Sequence, residues 1–346
     1  MRLVRSKGFA LAIIVIVLAV VTYNVNENFI SRINLRGTIF VPMVLPGIML
    51  VAVGPLLMGG GIDLSCAAQA AMASVIFAKI LESNPGLPWP VVLIITLICG
   101  VGFGLVNVFF TNVLNFMPFI ATIGMSSVYL GIAQWWTLMN NVPINVTAFN
   151  DLGGTAFFGD YVPLFFIFML ILVAVYTYIL SNTRFGRSIY MVGGNQVAAR
   201  LAGLEPKRVR AALFINSGVI SALAGVVWAS QLKMGHAQNL VNGMPNFAAL
   251  TALILGGVSF MGGTGGLISG VIALMMVTLF DNTLTIIAQT FSSGGVPLYG
   301  VYVNTILKGL ILVVALMLDH VGAVRQRRAL TAAAMKSHEE AAADAA

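Results

Sequence analysis

Apolar side chains run along this chain in long, nearly charge-free blocks separated by short polar or glycine-rich breaks. The blocks fall at roughly 9–24, 38–58, 64–81, 91–114, 119–139, 163–181, 211–232, 247–262, 266–288 and 300–318. An α-helix needs about 20 mostly apolar residues to cross a bilayer, so the pattern predicts ten membrane-spanning helices in an all-α polytopic fold. The third and eighth blocks are short and lie beside glycine clusters. The second carries Pro42, Pro46 and Pro55. Each proline removes a backbone donor, so this block is expected to kink or break, with the freed carbonyls satisfied by protein or by a wet cavity. At the N-terminus Arg2, Arg5 and Lys7 precede an apolar run from Phe9, the layout of a signal peptide. No small-x-small cleavage site follows at Tyr23-Asn24-Val25-Asn26, and the run is read as a retained first helix.

Composition agrees with the pattern. Of 346 residues 59% are hydrophobic and 8% charged, whereas a soluble domain carries about 25% charged residues. Single soluble cores stop growing near roughly 250–300 residues, so the surplus apolar side chains must face lipid. The net charge of +7 is spread over a few loops and does not form the Lys/Arg-rich face of a nucleic-acid binder. Its placement predicts orientation. With a cytoplasmic N-terminus, one side collects Arg2, Arg5, Lys7, Arg184, Arg187, Arg200, Lys207, Arg208, Arg210, Arg325, Arg327, Arg328 and Lys336. The other receives Arg32, Arg36, Lys79 and Lys233, so both termini are expected in the cytoplasm. Cys66 and Cys99 lie in apolar stretches, and His236, His320 and His338 are scattered, which gives no metal spacing or disulfide framework. Glycine is abundant, 36 residues. Gly100-xxx-Gly104 and Gly266-xxx-Gly270 have the spacing of close helix packing in lipid. The cluster Gly256-Gly257, Gly262-Gly263, Gly265-Gly266 reads either as tight packing or as a bend beside a moving gate.

The longest loop on the positive side, residues 182–210, contains a short folded element. Asn195 is a good N-cap, Gln196 to Ala202 are helix formers, and Gly203 stands where a left-handed C-terminal cap belongs. Val197, Leu201 and Leu204 share one face. Two turns of helix are not stable alone in water, so the stripe needs a partner surface: the ends of neighbouring spans or another protein.

These residues also carry a family resemblance. Tyr190-x-Val-Gly-Gly-Asn195-x-x-Ala198-Ala199-Arg200-Leu-x-Gly203, preceded by Thr183-Arg-Phe-Gly-Arg187, resembles the cytoplasmic coupling loop of membrane subunits in bacterial ABC importers for simple sugars of the ribose/galactose type. Gly60-Gly61-Ile62-Asp63-Leu64-Ser65, Pro118-Phe119-Ile120-Ala121-Thr122-Ile123-Gly124 and Leu255-Gly256-Gly257-x-Ser259-x-x-Gly262-Gly263-x-Gly265 are similar to three further motifs of that family, in the same order. The resemblance implies one transmembrane permease domain over 1–328 and an alanine-rich cytoplasmic tail over 329–346. It implies two ABC ATPase subunits docking at Asn195, Gln196, Val197, Ala198, Ala199, Arg200, Leu201 and Gly203. It further implies a second permease copy or paralogue and a periplasmic or lipid-anchored binding protein, in the bacterial inner membrane. ATP and Mg would sit on the ATPase partners, and no cofactor or catalytic residue is expected here; the chain has no Gly-x-x-x-x-Gly-Lys-Ser/Thr phosphate loop. Two departures stand out: Cys66-Ala67 where the family has Val-Gly, and Asn246 and Ala248 where members carry acids. The loss of both acids points to a different substrate or to one half of a heterodimeric pair.

Ionisable residues at membrane depth are costly and call for a role. Asp63 begins a new half-helix, where it can cap the N-terminus or line an inner gate. Asp281 in the ninth block is a partner for Lys308 in the tenth, which could otherwise snorkel. Sugar recognition needs hydroxyl-matching groups and ring contacts. Ser65, Asn107, Asn112, Asn115, Thr122, Gln134 and Trp135 are pathway candidates, with Phe119 as a narrow point; helix–helix hydrogen bonding is the alternative for each. The rival class is an ion-coupled secondary transporter, which would need midplane coupling groups; only Asp63 and Asp281 could serve. An intramembrane enzyme lacks a visible nucleophile–base pair or metal set.

Overall fold

The computed structural model describes residues 7–237 and 245–291, together with the helical positions Ile306, Leu310 and Met317. Apart from those three positions, the tenth block lies outside the described residues, as do Lys308, its pairing with Asp281, and the tail 329–346. The helices are α1 (Lys7–Val25), α2 (Val41–Met58), α3 (Cys66–Ser83), α4 (Trp89–Val108), α5 (Pro118–Thr137), α6 (Thr147–Gly154), α7 (Leu164–Asn182), α8 (Arg184–Gly194), α9 (Gln196–Leu201), α10 (Pro206–Leu232), α11 (Pro245–Leu255) and α12 (Leu267–Phe291). π-helical turns lead into α2 over Ile33–Phe40 and extend α4 over Phe109–Val113. Four two-residue strands form two antiparallel pairs: β1 (Val142–Pro143) with β4 (Met234–Gly235), and β2 (Ala156–Phe157) with β3 (Val162–Pro163).

A helix occupies each of the first nine apolar blocks, which makes this an all-α polytopic membrane protein. Among the described residues, six helices are long and apolar enough to cross a membrane: Ile33–Met58, Cys66–Ser83, Trp89–Val113, Leu164–Asn182, Pro206–Leu232 and Leu267–Ile286. The apolar part of α1, Leu11–Val25, and α11 are shorter. The full-length α5 is diluted by Thr122, Ser126, Ser127, Gln134 and Thr137.

The second block does not break. Helix α2 is continuous through Pro46 and Pro55 and forms the centre of the bundle, buried from Met43 to Met58 except at Pro46. Pro55 cannot donate to the Val51 carbonyl one turn back. Asn216 of α10 takes its place, donating from Nδ2 to Val51 O at 3.4 Å, and Tyr176 of α7 donates to Asn216 Oδ1 at 2.5 Å. The freed backbone group is thus satisfied by neighbouring helices, as membrane depth requires.

Lipid tails are as apolar as leucine, so close fit rather than hydrophobicity holds such helices together. Helices α4 and α10 meet backbone to backbone. A Cβ on Gly218 would fall 2.2 Å from the Gly100 carbonyl oxygen, and one on Gly104 would fall 2.6 Å from the Phe214 carbonyl oxygen. The Gly100/Gly104 pair therefore packs closely. Gly266 and Gly270 do not act as a pair: Gly266 faces open space, while Gly270 lies against Gly256 across the α11–α12 turn. Peripheral helices are tied by polar contacts. Thr22 of α1 and Thr283 of α12 share a 2.6 Å hydrogen bond, and Asn34 and Asn282 exchange amide bonds at 2.7 and 3.2 Å.

The two ends of the bundle differ. One holds α6, the strand pairs, and the Arg36–Asp160 ion pair, with Arg36 also bonded to the Gly154 carbonyl. The other holds the α2–α3 turn, α8, α9 and the α11–α12 loop. Gly218→Val would wedge a branched side chain between α4 and α10. A loss of about 1–3 kcal/mol is expected for such overpacking, read as a lower melting temperature in detergent, with Gly102→Val, which faces open space, as the unaffected control.

Candidate functional site

The segment Gly59–Ser65 links α2 to α3 and turns sharply. Gly60, at φ +77°, closes α2 with its N–H on Leu57 O at 3.0 Å while Gly61 N–H reaches Leu56 O at 2.9 Å. This is the paired C-terminal cap that a left-handed glycine permits. The chain then delivers Asp63 into the bundle with no solvent exposure.

Asp63 is held by neutral donors. Its Oδ1 accepts from Ser65 N–H at 2.8 Å and Ser65 Oγ at 2.5 Å. Its Oδ2 accepts from Ser217 Oγ of α10 at 2.7 Å, Asn107 Nδ2 of α4 at 3.4 Å and Gln69 Nε2 of α3 at 3.5 Å. Ser65 Oγ in turn accepts from Gln69 Nε2 at 2.8 Å and Asn107 Nδ2 at 2.9 Å. Two bonds extend the network along the same turn. Leu64 N–H donates to Thr122 Oγ1 of α5 at 3.1 Å, and Asn246 Nδ2 of α11 donates to Leu64 O at 3.3 Å. One loop thereby binds α4, α5, α10 and α11 to α3. The Asp63 carboxylate takes the Ser65 N–H just ahead of α3, so its negative charge faces the helix N-terminus, and it also bridges to α4 and α10.

The pathway candidates divide. Asp63, Ser65, Asn107 and Thr122 come together in this network. Asn112 instead pairs with Lys207: its Nδ2 donates to Lys207 O at 2.7 Å and Lys207 Nζ donates to Asn112 O at 3.0 Å, fastening α4 to the start of α10. Phe119 is exposed on the first turn of α5, Asn115 and Trp135 are exposed, and Gln134 is half-buried three turns beyond Thr122. Asp281 is half-buried in α12, and its carbonyl accepts from Thr285 Oγ1 at 2.8 Å. Asn246, which stands where family members carry an acid, is buried against the Asp63 turn. Gln69 and Ser217 complete the network unannounced by the sequence reading. Gln69 lies four residues from Ser65, the spacing of one helix face, whereas Ser217 among the small residues of α10 carries no such signal.

The loop 182–210 folds into two helices. Thr183 Oγ1 accepts from Gly186 N–H at 3.0 Å to start α8, which buries Ile189 and Val192 against the core. Asn195 Oδ1 accepts from Val197 N–H at 2.9 Å and Ala198 N–H at 3.0 Å to start α9. Gly203, at φ +81°, ends α9 with its N–H on Arg200 O, while Leu204 N–H bonds Ala199 O, both at 3.0 Å. Ala199 faces inward, and Leu204 packs on the core from a half-buried position. Val197 and Leu201 are 68% and 86% exposed. Their stripe is not consumed by the ends of the spans.

Residues 37–316 match the family described as branched-chain amino acid transport system / permease component. The chain belongs to this family. The galactose/methyl galactoside import permease MglC of Escherichia coli strain K12 is 30% identical over 93% of this chain and 96% of its own length. The probable ABC transporter permease YphD of the same strain is 28% identical over 88% and 87%. The autoinducer 2 import permease LsrC of Escherichia coli O9:H4 is 29% identical over 87% and 85%. No solved structure matches. The chain is thus an ABC importer permease subunit of the ribose/galactose type, and in such importers ATP hydrolysis lies on separate subunits.

In this permease the Asp63 network is a stability element as well as a candidate constriction. Ser217→Ala removes a hydrogen bond to a charged group, worth roughly 1.5–3 kcal/mol. The melting temperature of the purified chain is expected to fall accordingly, and Ser221→Ala, whose hydroxyl has no partner among the described residues, to leave it unchanged.

Proposed function

We propose that this chain is the translocating half of an ATP-driven importer that moves a monosaccharide or similar small polar solute into the cytoplasm. An extracytoplasmic binding protein, periplasmic or lipid-anchored, delivers the solute. Two permease copies, or this chain and a paralogue, form the path, and two ATPase subunits carry ATP and Mg. The chain spans the bacterial inner membrane ten times, with both termini cytoplasmic. The charge distribution supports that orientation: Arg184, Arg187, Arg200, Lys207, Arg208 and Arg210 gather around α8, α9 and the start of α10, while Arg32, Arg36, Lys79 and Lys233 fall at the opposite end. The sugar-like substrate rests on the relatives, whose names specify galactose, methyl galactoside and autoinducer 2.

The observation that carries this reading is α9. A six-residue helix capped at both ends and presenting bare Val197 and Leu201 is too short to be stable alone and is shaped to be covered by another protein. ATPase subunits dock there, and their closing and opening moves α9 against the bundle. The Asp63 network lies ten residues along α10 from Lys207, roughly 15 Å at 1.5 Å per residue. It is the constriction on the cytoplasmic half of the path: a dry cluster in which each donor used to hold Asp63 is also a group that could meet a hydroxyl-rich solute.

Leu201→Asp, or deletion of Gln196–Ala202, is expected to abolish recovery of the cognate ATPase with the permease and to reduce uptake to background in proteoliposomes, with the permease itself still monodisperse. Unchanged ATPase recovery and uptake would contradict the docking role. Uptake by the chain alone, driven by an ion gradient with no ATPase present, would replace this reading with a secondary transporter. The ligand retained by the cognate binding protein separates a monosaccharide from a branched-chain amino acid as the solute.

A further inference from the structure

Three glycine-rich breaks that are far apart in the sequence converge beside α9. Gly60 follows α2, Gly193 lies in the last turn of α8, and Gly262 and Gly263 lie in the loop between α11 and α12. Gly263 N–H donates to the Met58 carbonyl at 2.8 Å. A Cβ on Gly193 would fall 1.9 Å from that same carbonyl oxygen and 2.7 Å from Gly263 N. One on Gly262 would fall 2.9 Å from Gly60 Cα and 3.0 Å from Gly193 O, and one on Gly263 would fall 2.7 Å from Gly194 Cα. Gly60, Gly262 and Gly263 have φ of +77°, +85° and +80°, a conformation open to glycine at no steric cost. Tyr190 of α8 adds a hydrogen bond from its hydroxyl to Gly265 O at 3.0 Å.

Capping of α2 accounts for Gly60, but helix stability does not ask for Gly193, which lies inside α8, where glycine costs conformational entropy. What the glycines achieve is contact between three backbones with no side chain between them. A side chain can absorb a displacement by changing rotamer; a backbone pressed on a backbone cannot. On one side of the junction Gly194 runs directly into Asn195, the cap of α9. On the other, Gly60 stands three residues before Asp63, whose carboxylate holds α4 and α10. The α11–α12 loop, gripped between them, sets the start of α12.

We propose that this three-loop glycine junction positions the Asp63 network relative to α9 and transmits displacement of α9 to it, with Gly193 as its central contact. The proposal rests on the reading of α9 as the ATPase docking helix. It makes Gly193 a positioning residue whose substitution uncouples the importer without undocking its ATPase.

The test uses the full importer, with its ATPase and binding protein, in proteoliposomes. ATPase recovery, basal hydrolysis, stimulation of hydrolysis by the loaded binding protein, and uptake are measured side by side. Gly193→Ala is expected to keep ATPase recovery and basal hydrolysis and to lose stimulation and uptake by roughly 5–150-fold, the range of ordinary coupling between sites. Tyr190→Phe, which leaves the backbone untouched, is expected to lose roughly two- to tenfold, the worth of one neutral hydrogen bond. Gly266→Ala, in the same loop but facing open space, is expected to behave as wild type. Normal stimulation and uptake in Gly193→Ala, or equal uncoupling in Gly266→Ala, overturns the proposal. If Gly193→Ala does not accumulate, normal stimulation in Tyr190→Phe overturns it instead. Failure of the wild-type chain to recover an ATPase sinks the docking reading and the junction with it, whereas intact docking with unaffected coupling in Gly193→Ala sinks the junction alone.

Discussion

A carboxylate placed inside a membrane protein must be held by something, and the organisation of this permease follows from how Asp63 is held. Charge in a low-dielectric interior is costly unless it is paired or fully hydrogen-bonded. Among the described residues, every group bonded to the Asp63 carboxylate is a neutral donor: Ser65, Gln69, Asn107 and Ser217. The donors come from α3, α4 and α10, so satisfying the charge requires those helices to be in register. Neutral donors also differ from a buried lysine or arginine in kind. They fix the carboxylate by geometry rather than by a strong charge pair, and each can be exchanged for another hydroxyl or amide without stranding a cation.

The rest of the bundle supports that register differently at its two ends. The centre is stiff: α2 is buried almost throughout, Asn216 fills the gap that Pro55 leaves, and α4 and α10 lock through Gly100, Gly104 and Gly218. At the far end Arg36 and Asp160 pin the connection between α6 and α7 to the π-helical lead into α2. The end that carries α8 and α9 has a different character, with short capped helices, glycines in left-handed conformations, and loops meeting through their backbones. These backbone contacts lie between α8, which leads into α9, and the turn that carries Asp63.

Much of this was legible from the order of residues. Long apolar runs place the helices because a bilayer admits few alternatives. The caps of α9 could be read from Asn195 and Gly203, since capping is local chemistry. The Asp63 turn stood out because a carboxylate in an apolar chain is conspicuous. What could not be read was which side chains converge on it. Asn107 and Asn112 look alike in sequence, yet one faces Asp63 and the other fastens to Lys207, a difference of helix rotation that no single sequence encodes. Helix α8 was hidden because it is only 11 residues long and Gly186, Gly193 and Gly194 within it are poor helix formers. Pro55 predicted a break in α2, and the break is averted by a partner, Asn216, 161 residues later in the chain. The glycine junction is likewise a property of three distant segments, each of which alone reads as an ordinary turn.

A constriction at the Asp63 network that opens when ATP acts on partner subunits must expose the side chains beside it. The chain carries its own reporter: Cys66 is fully buried beside Asp63, its thiol 3.6 Å from the Asp63 carbonyl. With Cys99, the other cysteine, replaced by serine, the rate at which a small thiol reagent modifies Cys66 can be followed in the assembled importer. A protected thiol is expected at rest and a markedly faster reaction during ATP turnover with loaded binding protein. Equal rates in the two conditions, in an importer that is transporting, would contradict it.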